Sequence, residues 1–285
     1  MSKYAIFWFV LGLLISCTND VLSKFLGGGL HATQVIFWRF CFSMISLLPF
    51  LVVKGVSILS TNHMKFHVVR GGLLAIAIFL WNYGIKMVPI ATVTVMSFSV
   101  PIFTLALAPI MLRENVTWQL WLVTLVGFLG VIMIFSPHIS ELNSAAALFI
   151  IASALFASLD IINRKLLLAG ESSSTMLVYS AIFSTAFAFY PATTYWQSPS
   201  IIELCLLAVL GFGSNAILYC LLRSFQYATA SSLAPLRYLE LVFSLSAGYA
   251  IFHEIPPYHT YIGAVIIIMS SFIVTQFGPI SYAKK

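Results

Sequence analysis

Ten apolar runs, separated by Gly, Pro, charged or polar clusters, follow one another along the 285-residue sequence. A helix of about 20 apolar residues crosses the hydrocarbon of a bilayer, so each run is predicted to be a membrane-spanning helix. The runs lie near residues 4–25, 32–53, 68–87, 91–112, 117–136, 144–166, 174–195, 203–222, 229–251 and 258–277. The connections are short, and even the one around 54–67 leaves no room for a soluble domain. The predicted fold class is an all-α integral membrane protein of ten transmembrane helices.

Composition agrees: hydrophobic residues make up 61% and charged residues 8%, with mean hydropathy +1.02. Soluble domains carry about a quarter charged residues, so a soluble fold is excluded. The net charge of +6 resides in short loops, where cations set orientation, so no nucleic-acid partner is expected. The expected partners are the lipid bilayer and a small-molecule substrate. Cys17, Cys41, Cys205 and Cys220 lie inside apolar runs at unrelated spacings, forming neither a metal quartet nor a disulfide framework. Lys3 and the run ending Leu14-Ile15-Ser16-Cys17 have the look of a lipoprotein signal, yet the same helical pattern recurs later without cysteine and is read as the first span.

With the N-terminus in the cytoplasm, the inner segments hold Lys3, Lys54, Lys65, Arg70, Arg113, Arg164, Lys165, Arg223, Lys284 and Lys285, against Lys24 and Lys86 outside. That asymmetry predicts both termini on the cytoplasmic side, which requires an even number of spans. The chain also repeats at an offset of 140: Asp20 and Lys24 fall on Asp160 and Arg164, Glu114 on Glu254, and Ala91-Thr92 on Ser231-Ser232. Two five-helix copies, 1–140 and 141–285, each with an odd number of spans, imply that the second inserts upside down relative to the first. Carriers built this way bind substrate near the midplane between the copies.

The copies differ most tellingly in SSLAPLRYLELVFSLSAGYAIFHE, residues 231–254, where Arg237 and Glu240 replace Ser97 and Val100 of the first copy. Charges at that depth are costly unless they face a polar cavity or a partner, so this face is predicted to line the substrate path. Glu240, roughly 16 Å along the helix from Thr229, is the candidate for holding a cation and Arg237 for holding a carboxylate; while the site is empty the two are expected to pair. Tyr238 lies off their face. Pro235 frees a backbone carbonyl and is predicted to break the helix.

Further candidates are spread along the chain. Trp81, Asn82 and Tyr83 offer aromatic planes and an amide for a purine or a cation, or else simply pack. Arg39 is deep enough in its helix to bind an anion, and shallow enough to snorkel instead. Asp20 with Lys24, and Asp160 with Arg164, have the favourable acid-first i, i+4 order of helical ion pairs and are candidate gates; ordinary helix-end placement accounts for them as well. His31, His63, His67, His138, His253 and His259 show no ligand-like spacing, so neither a metal nor another cofactor is predicted. Motifs of ATP-driven pumps, hydrolases and zinc peptidases are missing, which argues against an enzyme.

The pattern PIFTLALAPIMLRE followed by LVGFLGVIMI, within ten spans in two five-helix copies, resembles the drug/metabolite transporter superfamily in its EamA branch. More narrowly, SCTNDVLSKFLGGGLHATQVIFWRF, SLDIINRKL and APLRYLELV resemble the S-adenosylmethionine uptake transporters of obligate intracellular bacteria, over nearly the whole chain. The resemblance implies a carrier in the bacterial inner membrane working by alternating access, with antiport against S-adenosylhomocysteine as one way of driving uptake. Matching positions are Asn19, Asp20, Lys24, Arg39, Asp160, Arg237, Tyr238 and Glu240. Leu241, where the first copy has Pro101, departs from the pattern and moves the expected break back to Pro235. The alternative within carriers is an exporter of amino acids or related metabolites, since a zwitterion would use Arg237 and Glu240 too.

Overall fold

The computed structural model describes residues 2–26, 30–84, 98–135, 146–194, 196–252 and 258–277. Among these the secondary structure is helical, and the segments fall into ten helices. They are α1 (Lys3–Leu26), α2 (Ala32–Ser46, continued past Leu47 by Leu48–Lys54), α3 (Met64–Gly84), α4 (Val100–Leu112) and α5 (Trp118–Phe135). The others are α6 (Ala146–Leu168), α7 (Ser173–Thr194), α8 (Ile201–Tyr227), α9 (Ala230–Leu233, a 3-10 turn over Ala234–Tyr238, then Leu239–Phe252) and α10 (Tyr258–Phe277).

Each helix matches one predicted span, with shifted ends. α3 starts at Met64, ahead of the expected 68, because Arg70 does not end it: the guanidinium is buried and donates to the Met176 carbonyl at 3.4 Å. α8 runs on to Tyr227, as Arg223 bonds Gln226 at 2.8 Å and lies over the Trp8 ring at 5.8 Å. At its other end Ser200 and Glu203 form a reciprocal capping box that satisfies the first free amides. In α2 the proline of the second piece lacks an N–H, and the helix breaks just before it at Leu47. The first turns expected for the fourth span, 91–97, lie outside the described residues.

By length and composition alone, Thr33–Val53, Ser173–Thr194, Ile201–Tyr227 and Tyr258–Thr275 suffice to cross a membrane, and Lys3–Asn19, Val100–Leu112 and Trp118–Met133 are shorter apolar helices. Arg70 of α3 and Asp160 and Arg164 of α6 are buried within the bundle, and Arg237 of α9 is largely buried. This is the architecture of a multi-pass membrane protein.

Helix α1 packs on α8 and α9, α6 on α3 and α4, α2 on both α7 and α8, α3 on α7, and α5 on α10. Small residues set the closest approaches: a Cβ at Gly211 would stand 2.6 Å from the Phe42 Cβ, and one at Gly71 would stand 2.3 Å from the Phe183 Cβ. Phe9, Leu105, Leu120, Ile161, Phe225, Leu233, Leu236 and Val274 bring seven helices into one apolar core. The broken part of α9 lies in that core.

Candidate functional site

The break in α9 falls where Pro235 predicts it. The Thr229 side chain accepts from the Ser232 amide at 3.2 Å and starts the first turn. Pro235 then stands near the start of the 3-10 turn, and α-helix resumes at Leu239. A 3-10 turn rises about 2.0 Å per residue against about 1.5 Å in an α-helix, so it lengthens the step from Arg237 to Glu240.

That step gives the two charges different neighbours. Nη2 of Arg237 donates to Oδ2 of Asp160 on α6 at 2.6 Å, the short distance of a charge-assisted bond. The ion pair expected between Arg237 and Glu240 is therefore corrected: the close partner of Arg237 comes from the neighbouring helix. Glu240, in the first turn of the resumed helix, lies near Ser16 of α1 and within electrostatic reach of Arg237. Ser244, one turn further, donates to the Cys17 sulfur at 3.7 Å and holds the same face of α9 on α1. Arg237 thus has one carboxylate in direct contact, from α6, and a second within electrostatic reach on its own helix. About 23% of the Arg237 side chain is exposed, against 10% for Asp160, so the guanidinium is the more reachable member.

One turn beyond Asp160, Arg164 lies 3.7 Å from Glu114, at the C-terminal end of α4, and donates to the Phe225 carbonyl. The Glu114 carboxylate accepts from the amides of Ala230 and Ser231, at 3.2 and 3.1 Å, and from the Ser231 hydroxyl at 2.7 Å. It thus satisfies amides left free at the start of α9, where the helix dipole favours a negative charge. Asp160 and Arg164, expected as a pair, each take an oppositely charged partner from another helix. Sequence reasoning used Glu114 only as a repeat marker; its place after the helix end, in MLRE, was the available signal.

The remaining candidates are scattered. Tyr238 is completely buried, away from the Arg237 face, with its ring 6.0 Å from that of Phe98 and no hydrogen-bond partner for its hydroxyl. It fills the space left by Gly127, where a Cβ would stand 2.5 Å from the tyrosine ring. Arg39 of α2 donates through Nε to Ser214 of α8. It belongs to a polar seam in which Asn215 donates to the Ser43 carbonyl at 2.7 Å and Asn19 donates to the Leu210 carbonyl at 3.4 Å. Asn19 fits because residue 213 is glycine; a Cβ there would stand 2.2 Å from the amide oxygen. Trp81, Asn82 and Tyr83 end α3, and Asp20 and Lys24 lie in the last turns of α1, but the side chains of all five fall outside the described residues. Among the described residues no cluster of His, Cys, Asp and Glu could hold a metal ion.

A solved crystal structure 14% identical in sequence matches this fold with a TM-score of 0.84, covering 98% of both chains. An S-adenosylmethionine uptake transporter of Rickettsia bellii (strain RML369-C) is 44% identical, over 98% of this chain and 95% of its own. One of the same description from Rickettsia prowazekii (strain Madrid E) is 46% identical, over 98% of this chain and 94% of its own. The profile of the EamA-like transporter family matches twice, at residues 3–136 and 144–276. Those two matches take in nearly the whole chain, broken α9 included, and the chain belongs to the EamA-like transporter family.

Proposed function

We propose that this chain is a carrier of the bacterial inner membrane that takes up S-adenosylmethionine by alternating access. The observation that carries the reading is the break in α9, where Arg237 pairs with Asp160 at 2.6 Å and has Glu240 within electrostatic reach. A guanidinium suits the carboxylate of S-adenosylmethionine, and the Glu240 carboxylate suits its positive charge. Trp81 and Tyr83 are the aromatic planes for the purine, with Asn82 beside them, and Arg39 is a second anion-binding group. The name carried by the rickettsial relatives points to the same substrate.

Two inverted five-helix halves, 1–140 and 141–285, supply the moving parts. In support, the helix contacts come in exchanged pairs: α1 on α8 with α6 on α3, α2 on α8 with α7 on α3, and α4 on α6 with α9 on α1. Phe98 and Tyr238, equivalent at the repeat offset, touch each other as two copies do on a pseudo-two-fold axis. Gly71 and Gly211, equivalent at the same offset, each admit a phenylalanine of the facing helix. Arg164 with Glu114 is the cytoplasmic gate, beside Asp160; Asp20 and Lys24 are the outer gate. Both termini are cytoplasmic, which a C-terminal reporter active in the periplasm would contradict.

The test is uptake of labelled S-adenosylmethionine by a host lacking such a carrier, with competition by S-adenosylhomocysteine, methionine and aromatic amino acids. Saturable uptake competed by unlabelled S-adenosylmethionine is the expected result. Transport of an amino acid in its place would favour the exporter, and acceleration by preloaded S-adenosylhomocysteine would identify the antiport.

A further inference from the structure

We propose that Asp160 belongs to the substrate site and makes it select ligands with two positive charges and one carboxylate over zwitterions of the same shape; the inference rests on the substrate reading above. Charge counting carries the argument. A zwitterion has one cation and one carboxylate, and Arg237 with Glu240 alone would match it. Asp160 is a carboxylate held at 2.6 Å from the same guanidinium by a different helix, and Glu240 lies within electrostatic reach of it, so with both carboxylates ionised the site holds one positive and two negative groups. When a ligand carboxylate takes Arg237, Asp160 loses its partner, and an uncompensated carboxylate inside a membrane protein is costly. A second ligand cation removes that cost.

S-adenosylmethionine supplies both cations, a sulfonium and an ammonium, with one carboxylate. Its demethylated product, S-adenosylhomocysteine, has a neutral sulfur and supplies only the ammonium. In the empty protein Arg237 stays paired with Asp160. In the loaded protein the sulfonium and ammonium face the carboxylates of Glu240 and Asp160, while the ligand carboxylate takes Arg237. The product leaves one carboxylate unmatched and binds more weakly, as a low-affinity counter-substrate suited to release.

The experiment uses the full chain in proteoliposomes, with labelled S-adenosylmethionine uptake competed by S-adenosylmethionine, S-adenosylhomocysteine and methionine. In the wild-type protein both zwitterions should inhibit at least about tenfold more weakly than S-adenosylmethionine. Asp160→Asn should close that gap to within about threefold, because the sulfonium ligand loses affinity and the zwitterions do not. Asp160→Glu should keep it. The proposal is overturned if the wild-type protein does not separate S-adenosylmethionine from S-adenosylhomocysteine, a result independent of any variant's folding, or if Asp160→Asn at equal membrane abundance keeps the wild-type gap. Should the wild-type protein take up no S-adenosylmethionine, the substrate reading fails by itself. Thermal stabilisation of the purified protein by S-methylmethionine and by methionine then decides the charge rule, which falls if the two stabilise alike.

Discussion

A methyl group at Gly211 would sit 2.6 Å from the Phe42 Cβ, 2.8 Å from the Arg39 carbonyl oxygen and 2.8 Å from the Ser43 nitrogen. Two of those neighbours are backbone and cannot swing aside, so Gly211→Ala must push α8 off α2. We expect a loss of roughly 1–3 kcal/mol, the usual cost of overpacking, and with it misplacement of Arg39 and Ser214. Gly72→Ala is the control: its Cβ would meet the Phe187 ring at 3.6 Å, an ordinary contact, and alanine is the better helix former. Thermal unfolding in detergent separates them, and equal midpoints would show that α2 and α8 have room to spare. At this scale the sequence was only partly legible. The charge of Arg237 marked a site within an apolar run, whereas its partner Asp160 lies 77 residues away and could be found only by folding the chain.

Helix α9 is held at both ends of its break by two residues of α6 one turn apart. Asp160 holds Arg237 at the end of the 3-10 turn, and Arg164 steadies the Glu114 carboxylate that caps the first residues. Both side chains of the Glu114 pair are less than a tenth exposed, so Glu114→Ala strands a buried guanidinium and several amides. Breaking such a pair costs roughly 3–5 kcal/mol, and on the gate proposed above that cost falls on the state in which this end is closed. A thiol placed by Ser232→Cys, at a buried position, should therefore react with a polar maleimide much faster when Glu114→Ala is added. Unchanged reactivity would make the capping a matter of packing alone. Helix-level legibility was high where physics is local: apolar length located the ten helices, and Pro235 located the break. It did not reach the packing of Tyr238, because helical spacing tells which face a residue is on but not that Gly127 opens a slot for its ring.

Across the whole molecule, a scaffold that repeats at 140 residues carries charges that do not repeat. Ser97 and Val100 hold the positions that Arg237 and Glu240 hold in the second copy, so any site between the halves takes these charges from the second. On the proposed alternating-access reading, a substrate that brings cations and a carboxylate of its own lowers the cost of carrying these charges through the membrane. Glu240, beside α1 of the other half, is where the claim is most exposed. Glu240→Gln keeps the size and a hydrogen-bonding group while removing the charge, which leaves membrane abundance little changed. The decisive measurement is initial uptake of labelled S-adenosylmethionine by wild-type and Glu240→Gln proteins at equal abundance. The account predicts a fall of at least about tenfold; uptake at the wild-type rate would contradict it and move the search for the substrate site to Trp81, Asn82 and Tyr83.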